Sequence, residues 1–245
     1  MSKCPGLYFD IGKKAKDVLH NDYAHSSPIH FHYQIMDWNL DLSCQVDEIV
    51  PGFRSIFKCT LPDSGKVELQ HLSNYTGITG CIGLLGNLER GYDPVVNFSG
   101  LVGTDIVSLG ANVAFDFPSR TISKLNAGLS LNTAFLVASL TMHDRFDTLK
   151  ASCYHEVNPL TKTAIAAELK HSLSVKETGL TIGAQHSFFP QTLVKARLDT
   201  YGKVGALIQQ GFWEKFFITM AGEVTFGATD SNNVPKVGVS VALRP

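Results

Sequence analysis

Lys236-Val-Gly-Val-Ser-Val-Ala-Leu-Arg-Pro245 closes the chain on an unbroken alternation. Val237, Val239, Val241 and Leu243 fall on one side of an extended strand, with Lys236, Gly238, Ser240 and Ala242 on the other, because successive side chains of a strand point to opposite faces. One side is apolar and the other is small or polar. A single strand of this kind decides nothing alone, so the fold rests on whether the period runs through the rest of the sequence.

After Pro28 it does. Ile29, Phe31, Tyr33 and Ile35 alternate with His30, His32 and Gln34, and Trp38, Leu40, Leu42, Cys44 and Val46 alternate with Asn39, Asp41, Ser43, Gln45 and Asp47. Val107, Leu109, Ala111, Val113 and Phe115 form the clearest central case, followed across the Phe117-Pro118-Ser119-Arg120 turn by Leu125, Ala127, Leu129 and Leu131. Glycine and proline punctuate the gaps at Pro51-Gly52, Pro62 to Gly65, Asn158-Pro159, Tyr201-Gly202 and Asn233 to Pro235. The spacing predicts about sixteen strands arranged as a hairpin meander in one domain, residues 1–245, with the strands in 28–245. The first 23 residues differ: Leu7, Ile11, Ala15, Val18 and Leu19 recur at helical spacing opposite Asp10, Lys13, Lys14, Lys16 and Asp17. One amphipathic helix of about four turns is expected there.

An antiparallel sheet of that size must split into a sandwich or close on itself. Charged residues are 18% of the chain and hydrophobic ones 44%, with a mean hydropathy of +0.05, a mixture that suits a sheet wet on one face and lipidic on the other. No run approaches the ~18 apolar residues of a membrane-spanning helix, but a membrane strand needs only about ten, alternately polar. The aromatic pairs Phe115 and Phe117, Phe188 and Phe189, and the cluster Phe212, Trp213, Phe216 and Phe217 fit interfacial girdles; edge packing in a soluble core is the plainer alternative. Hydrocarbon leaves an open sheet edge unsatisfied, so the expected fold class is an all-β transmembrane antiparallel barrel. Met1 to Tyr8 has no secretory h-region. Cys4, Cys44, Cys59, Cys81 and Cys153 form no C-x-x-C pair and suggest neither zinc nor a disulfide framework.

Several stretches carry a family resemblance. Pro5-Gly-Leu-Tyr-Phe-Asp-Ile-Gly-Lys-Lys-Ala-Lys-Asp17, Val46-Asp-Glu-Ile-Val-Pro-Gly52, Thr148-Leu-Lys-Ala-Ser152, His155-Glu-Val-Asn-Pro159 and Ala206-Leu-Ile-Gln209 resemble the plant voltage-dependent anion channels, in order along almost the whole chain. His186 to Ile208 resembles the eukaryotic porin signature, with Thr192, Ala196, Arg197, Leu198, Asp199, Gly205, Ala206 and Ile208 in place. Phe189 and Thr200 depart from it, standing where the family has Asp and Asp, Asn or Ser. Lys236, Gly238, Val241 and Leu243 resemble the C-terminal sorting signal of mitochondrial outer-membrane barrels, which implies that location. The family's barrel has 19 strands, a count that belongs to the family and not to this chain. Here the residues missing between Tyr23 and Val46 leave room for one strand before Asp41 instead of four, hence sixteen.

The resemblance also implies a pore. It places the N-terminal helix inside, with Lys13, Lys14 and Lys16 facing permeating ions; lying on the bilayer surface is the alternative. Taking the apolar face as outward, Arg54, Lys58, Lys66, Lys124, Lys150, Lys170, Lys195, Arg197, Lys203, Lys215, Lys236 and Arg244 line it, opposed by Asp41, Asp47, Glu68, Asp116, Glu168 and Glu223. A one-residue slip would reverse any strand. The net charge of −1 carries no preference, so anion selectivity has to come from this lining.

His30 and His32 share a strand face without a third metal ligand. Gly83-Leu-Leu-Gly86 lacks the residues of a phosphate loop. The sequons at Asn74 and Asn97 would go unused on such a protein, and no nucleophile elbow or paired acids stand out. The leading expectation is a voltage-dependent, weakly anion-selective channel for metabolites such as ATP, ADP and phosphate. It needs no cofactor or nucleic acid. Its partners would be the bilayer, small anions, a second copy of the chain and cytosolic proteins at the rim. A porin-derived scaffold without conductance and a soluble β ligand binder are the alternatives.

Overall fold

The computed structural model describes residues 5–21, 23, 40–47, 52–61, 64–87, 91–188, 191–212, 216–226 and 236–243. The sixteenth strand expected over Ile29 to Ile35 lies outside them, as do His30, His32, Phe189, Trp213, Lys215 and Arg244. Among the described residues the strands are β1 (Leu40–Asp47), β2 (Phe53–Leu61), β3 (Ser64–Leu72), β4 (Thr76–Asn87), β5 (Gly91–Gly103), β6 (Val107–Asp116), β7 (Thr121–Asn132) and β8 (Leu136–His143). They continue as β9 (Thr148–Asn158), β10 (Thr163–Ser172), β11 (Thr178–Ser187), β12 (Thr192–Asp199), β13 (Lys203–Phe212), β14 (Phe216–Thr225) and β15 (Lys236–Leu243). They follow one another in sequence order in one 15-stranded sheet, as tight turns between alternating strands dictate.

The register fixes the faces. Val107, Leu109, Ala111 and Val113 of β6 oppose Leu131, Leu129, Ala127 and Leu125 of β7, while Ser108, Gly110 and Asn112 oppose Ser130, Gly128 and Asn126. A bulge after Ala114 sets Phe115 opposite Ile122 and keeps both on the apolar face. Burial then runs opposite to a soluble protein. Leu109 is 62% exposed and Leu198 56%, whereas Ser108 is 2%, Asn112 5% and Lys195 5%. A soluble core hides its large apolar side chains; most of those on this sheet are exposed while its Ser, Thr and Asn are buried, as on a wall surrounded by lipid.

The contacts group into two compact units. One holds Met1–Ile11, Tyr33–Asn132 and Ser139–Leu149, the other Gly12–His32, Thr133–Ala138 and Lys150–Pro245. The N-terminal segment contributes to each, and it differs from the single four-turn helix that the periodicity suggests. A 3-10 turn at Tyr8–Asp10 is separated from helix α1 (Lys13–Leu19) by Gly12 at φ +71°, a left-handed conformation that interrupts the α-helical ladder. The 3.6-residue apolar spacing continues across the break because both pieces present their apolar side to the wall: Tyr8, Ala15, Val18 and Leu19 are all buried.

Candidate functional site

On the polar face of the strands the N-terminal segment meets a different set of residues in each unit. In the first unit the wall beneath the 3-10 turn is neutral. Thr79, Ser99 and Asn112 form a cross-strand row over β4, β5 and β6, each no more than 5% exposed. Glycines make the room. A Cβ on Gly77 would collide with the Gly6 carbonyl, one on Gly110 would come within 2.9 Å of Tyr8 Cδ2, and one on Gly128 within 3.1 Å of Ile11 Cδ1. On the apolar face of β3, β4 and β5, Gly65, Gly80 and Gly100 have nothing within 4 Å of such an atom.

In the second unit the wall is charged. Ala15, Val18 and Leu19 of α1 pack with Ala166 of β10, and Leu19 Cδ2 lies where a Cβ of Gly183 would be, 2.7 Å away. Lys195 Nζ donates to the Asp17 carbonyl at 2.8 Å, and Arg197 Nη1 donates to the Leu19 carbonyl at 2.8 Å. Arg197 also pairs with Glu223 of β14 and stacks over the Tyr23 ring, 4.4 Å from its centroid. Glu168 Oε1 receives both His20 Nε2 at 3.2 Å and Lys150 Nζ at 3.0 Å. Lys14 Nζ sits 5.6 Å above the Tyr154 ring centre. Burial pushes the Tyr23 phenol up to about 12, the nearby Arg197 cation opposing that rise.

The cations expected on this face are therefore of different kinds. Arg54 and Lys66 share a face with Gln70 and Glu68 by register, Lys58 being the backbone partner of Lys66, and Lys66 pairs with Glu68 at 2.7 Å. Lys124 stands opposite Ala114 on the polar side of the bulge, and Lys236 stands opposite Glu223. Lys150, Lys195 and Arg197 are engaged as above. Among the described residues Lys16, Lys124, Lys170, Lys203 and Lys236 enter no ion pair. Lys13, Lys14 and Lys16 lie within α1 or at its start. In the register Gly238 stands opposite Ala221, Val241 opposite Ile218 and Leu243 opposite Phe216. His20, Tyr23 and Tyr154 are parts of the site that the sequence did not single out; nothing in their spacing marks them.

A cavity of about 290 Å³ opens in the second unit beside the end of α1, lined among others by His20, Glu168, Lys170, Glu177, Asp199 and Lys203. Both cations and carboxylates line it. The described residues include no cluster of three metal-ligating side chains.

Comparison with known proteins bears on what this wall is. Residues 32–238 match the family model described as eukaryotic porin. The chain is 40% identical to the mitochondrial outer membrane protein porin of 36 kDa from Solanum tuberosum and to mitochondrial outer membrane protein porin 1 from Arabidopsis thaliana, all of both chains being covered in each case. It is 36% identical to the outer plastidial membrane protein porin of Pisum sativum, again over all of both chains. Those first two alignments run over 284 positions, 39 more than the 245 residues here. A solved structure of a triple mutant of Rh. blastica porin shares the fold with a TM-score of 0.56 at 12% identity, over 84% of this chain and 88% of that one. The chain belongs to the eukaryotic porin family, of the plant voltage-dependent anion channel type, and is a porin channel of the mitochondrial outer membrane.

Proposed function

We propose that the channel is voltage-dependent and weakly anion-selective, and that it passes small hydrophilic metabolites such as ATP, ADP and phosphate by diffusion. The observation that carries this reading is the inverted wall: a face on which Ser, Thr, Asn and Gln, with Lys195 and Glu168, are buried, and leucines and valines exposed on the other. Closed on itself, a wall of about sixteen such strands leaves a water-filled lumen. The 39 unmatched alignment positions equal about three strands with their turns at the 8 to 13 residues per strand found here. That is the difference between the family's barrel and sixteen strands.

Lysines outside ion pairs on the polar face attract anions and lower their cost of entry. The attraction fades with ionic strength, since the field is screened over about 10 Å at 0.1 M. Charges on the segment, Lys13, Lys14 and Lys16 among them, supply a part that a transmembrane voltage can pull. Reversal potentials of the refolded protein under a KCl gradient test the selectivity. A potential favouring chloride that shrinks as both solutions are made more concentrated is expected, and it should shrink further in Lys124→Gln/Lys236→Gln. A potential favouring potassium would refute anion preference.

A further inference from the structure

We infer that Lys195 and Arg197 are positioning residues that clamp the N-terminal helix to the wall, and are not selectivity charges while it is docked. A helix of seven residues is well below the roughly 12–15 at which an isolated helix becomes marginal in water. Its last four carbonyls also have no partner inside the helix. Of these, the Lys16 carbonyl accepts from the backbone of His20 at 2.8 Å and of Asn21 at 3.2 Å. The carbonyls of Asp17 and Leu19 are capped from outside the helix, by Lys195 and Arg197.

The geometry follows from the strand. Residues 195 and 197 are two apart on β12 and so point to the same face, about 7 Å from one another. They meet carbonyls two residues apart at the negative end of the helix, where a cation is favoured. The neighbouring strands are shaped to the same end: Gly183 on β11, directly across from Arg197, leaves the space that Leu19 fills, and Gly205 on β13 leaves space beside Tyr23. Lys195 is 5% exposed, so its charge is withheld from water while the helix is docked. Undocking would return it to water and change the charge that ions meet.

The clamp is testable without a current. Lys16→Cys, made with the native cysteines replaced by serine, carries a spin label on the exposed side of α1, read in proteoliposomes. The label is expected to be slow in the parent and about tenfold faster in Lys195→Met/Arg197→Met, the change from an anchored element to a loose one. Slow motion should return in Lys195→Arg/Arg197→Lys. The single Lys195→Gln and Arg197→Gln variants, each with its β content checked by circular dichroism, cover the case in which the double variant does not fold; each should loosen the label partly. An equally slow label in folded double or single variants would overturn the clamp. The second half of the inference rests on the channel reading: Gly183→Leu should loosen the helix with both charges intact and raise the preference for chloride. A silent bilayer with a normal label response removes the channel and leaves the clamp. A loose helix with unchanged selectivity removes the charge-withholding and leaves the channel.

Discussion

The N-terminal segment rests on two stretches of wall that hold it by different means. Beneath Tyr8 and Ile11, strands β4 to β7 offer glycines, hydroxyls and amides. Beneath Leu19 and Tyr23, strands β10 to β14 offer Glu168, Lys195, Arg197 and Glu223. The neutral stretch works by shape, since each glycine removes a Cβ that would meet the segment. The charged stretch works by directed bonds to carbonyls and by ion pairs. A contact made by shape is indifferent to salt, whereas one made by charge is weakened by it, so the helical end is the part that a voltage or a change of ionic strength can release.

The largest expected effect breaks the neutral stretch. Gly110→Leu drives a side chain into Tyr8 and the Gly100 carbonyl, and should cost about 3 kcal/mol in urea unfolding from lipid vesicles, the upper end for overpacking. Gly100→Ala on the apolar face of β5 meets open space and should be within about 0.5 kcal/mol of the parent. Equal losses from both would show that the glycines are not sockets.

Next, Glu223→Gln leaves Arg197 without its carboxylate. A loss of about 2 kcal/mol is expected, below the figure for a fully dry pair because the face is polar. The matching change in the neutral stretch, Thr79→Val, should cost almost nothing or stabilise, because Thr79 Oγ1 is buried with no hydrogen-bond partner. If the two variants lose the same stability, the contrast between the stretches falls.

A third effect is smaller and needs no substitution. Raising KCl from 0.1 M to 1 M shortens the screening length to about 3 Å. It should speed amide exchange over Lys16 to Asn21 severalfold and leave Tyr8 to Ile11 unchanged; uniform acceleration would contradict the division. The smallest effect concerns Tyr23. Its phenol titrates at about 12 instead of 10 because burial disfavours the phenolate. The folded state thus holds that proton more tightly than the unfolded chain, a contribution intact below pH 10 and lost as pH rises through about 12. Absorbance at 295 nm should show a late step near pH 12 that Tyr23→Phe removes. The same variant deletes a buried hydroxyl with no partner and should change stability by no more than about 1 kcal/mol.

The faces of the wall were legible in the sequence because a strand's period of two is a local property. Val107 to Val113 and Leu125 to Leu131 sort to one side with no knowledge of the rest of the fold, and the register agrees. The break at Gly12 was not legible, since apolar spacing reports which side is buried and is blind to one left-handed residue. Lys195 and Arg197 could be placed on the polar face, but not their partners, which lie 178 residues away in each case. The glycine sockets were hidden for the same reason. Alternation puts Gly110 on the polar face and Gly100 on the apolar one, but only the path of Gly6 to Ile11 over the wall shows that Gly110 has a neighbour to make room for.

Single-channel recording of the refolded protein in a planar bilayer, with the voltage swept through both polarities, tests the account most directly. Stepwise conductance that falls at high voltage of either sign is the predicted result. Protein shown separately to be inserted and rich in β structure, yet electrically silent, would contradict it.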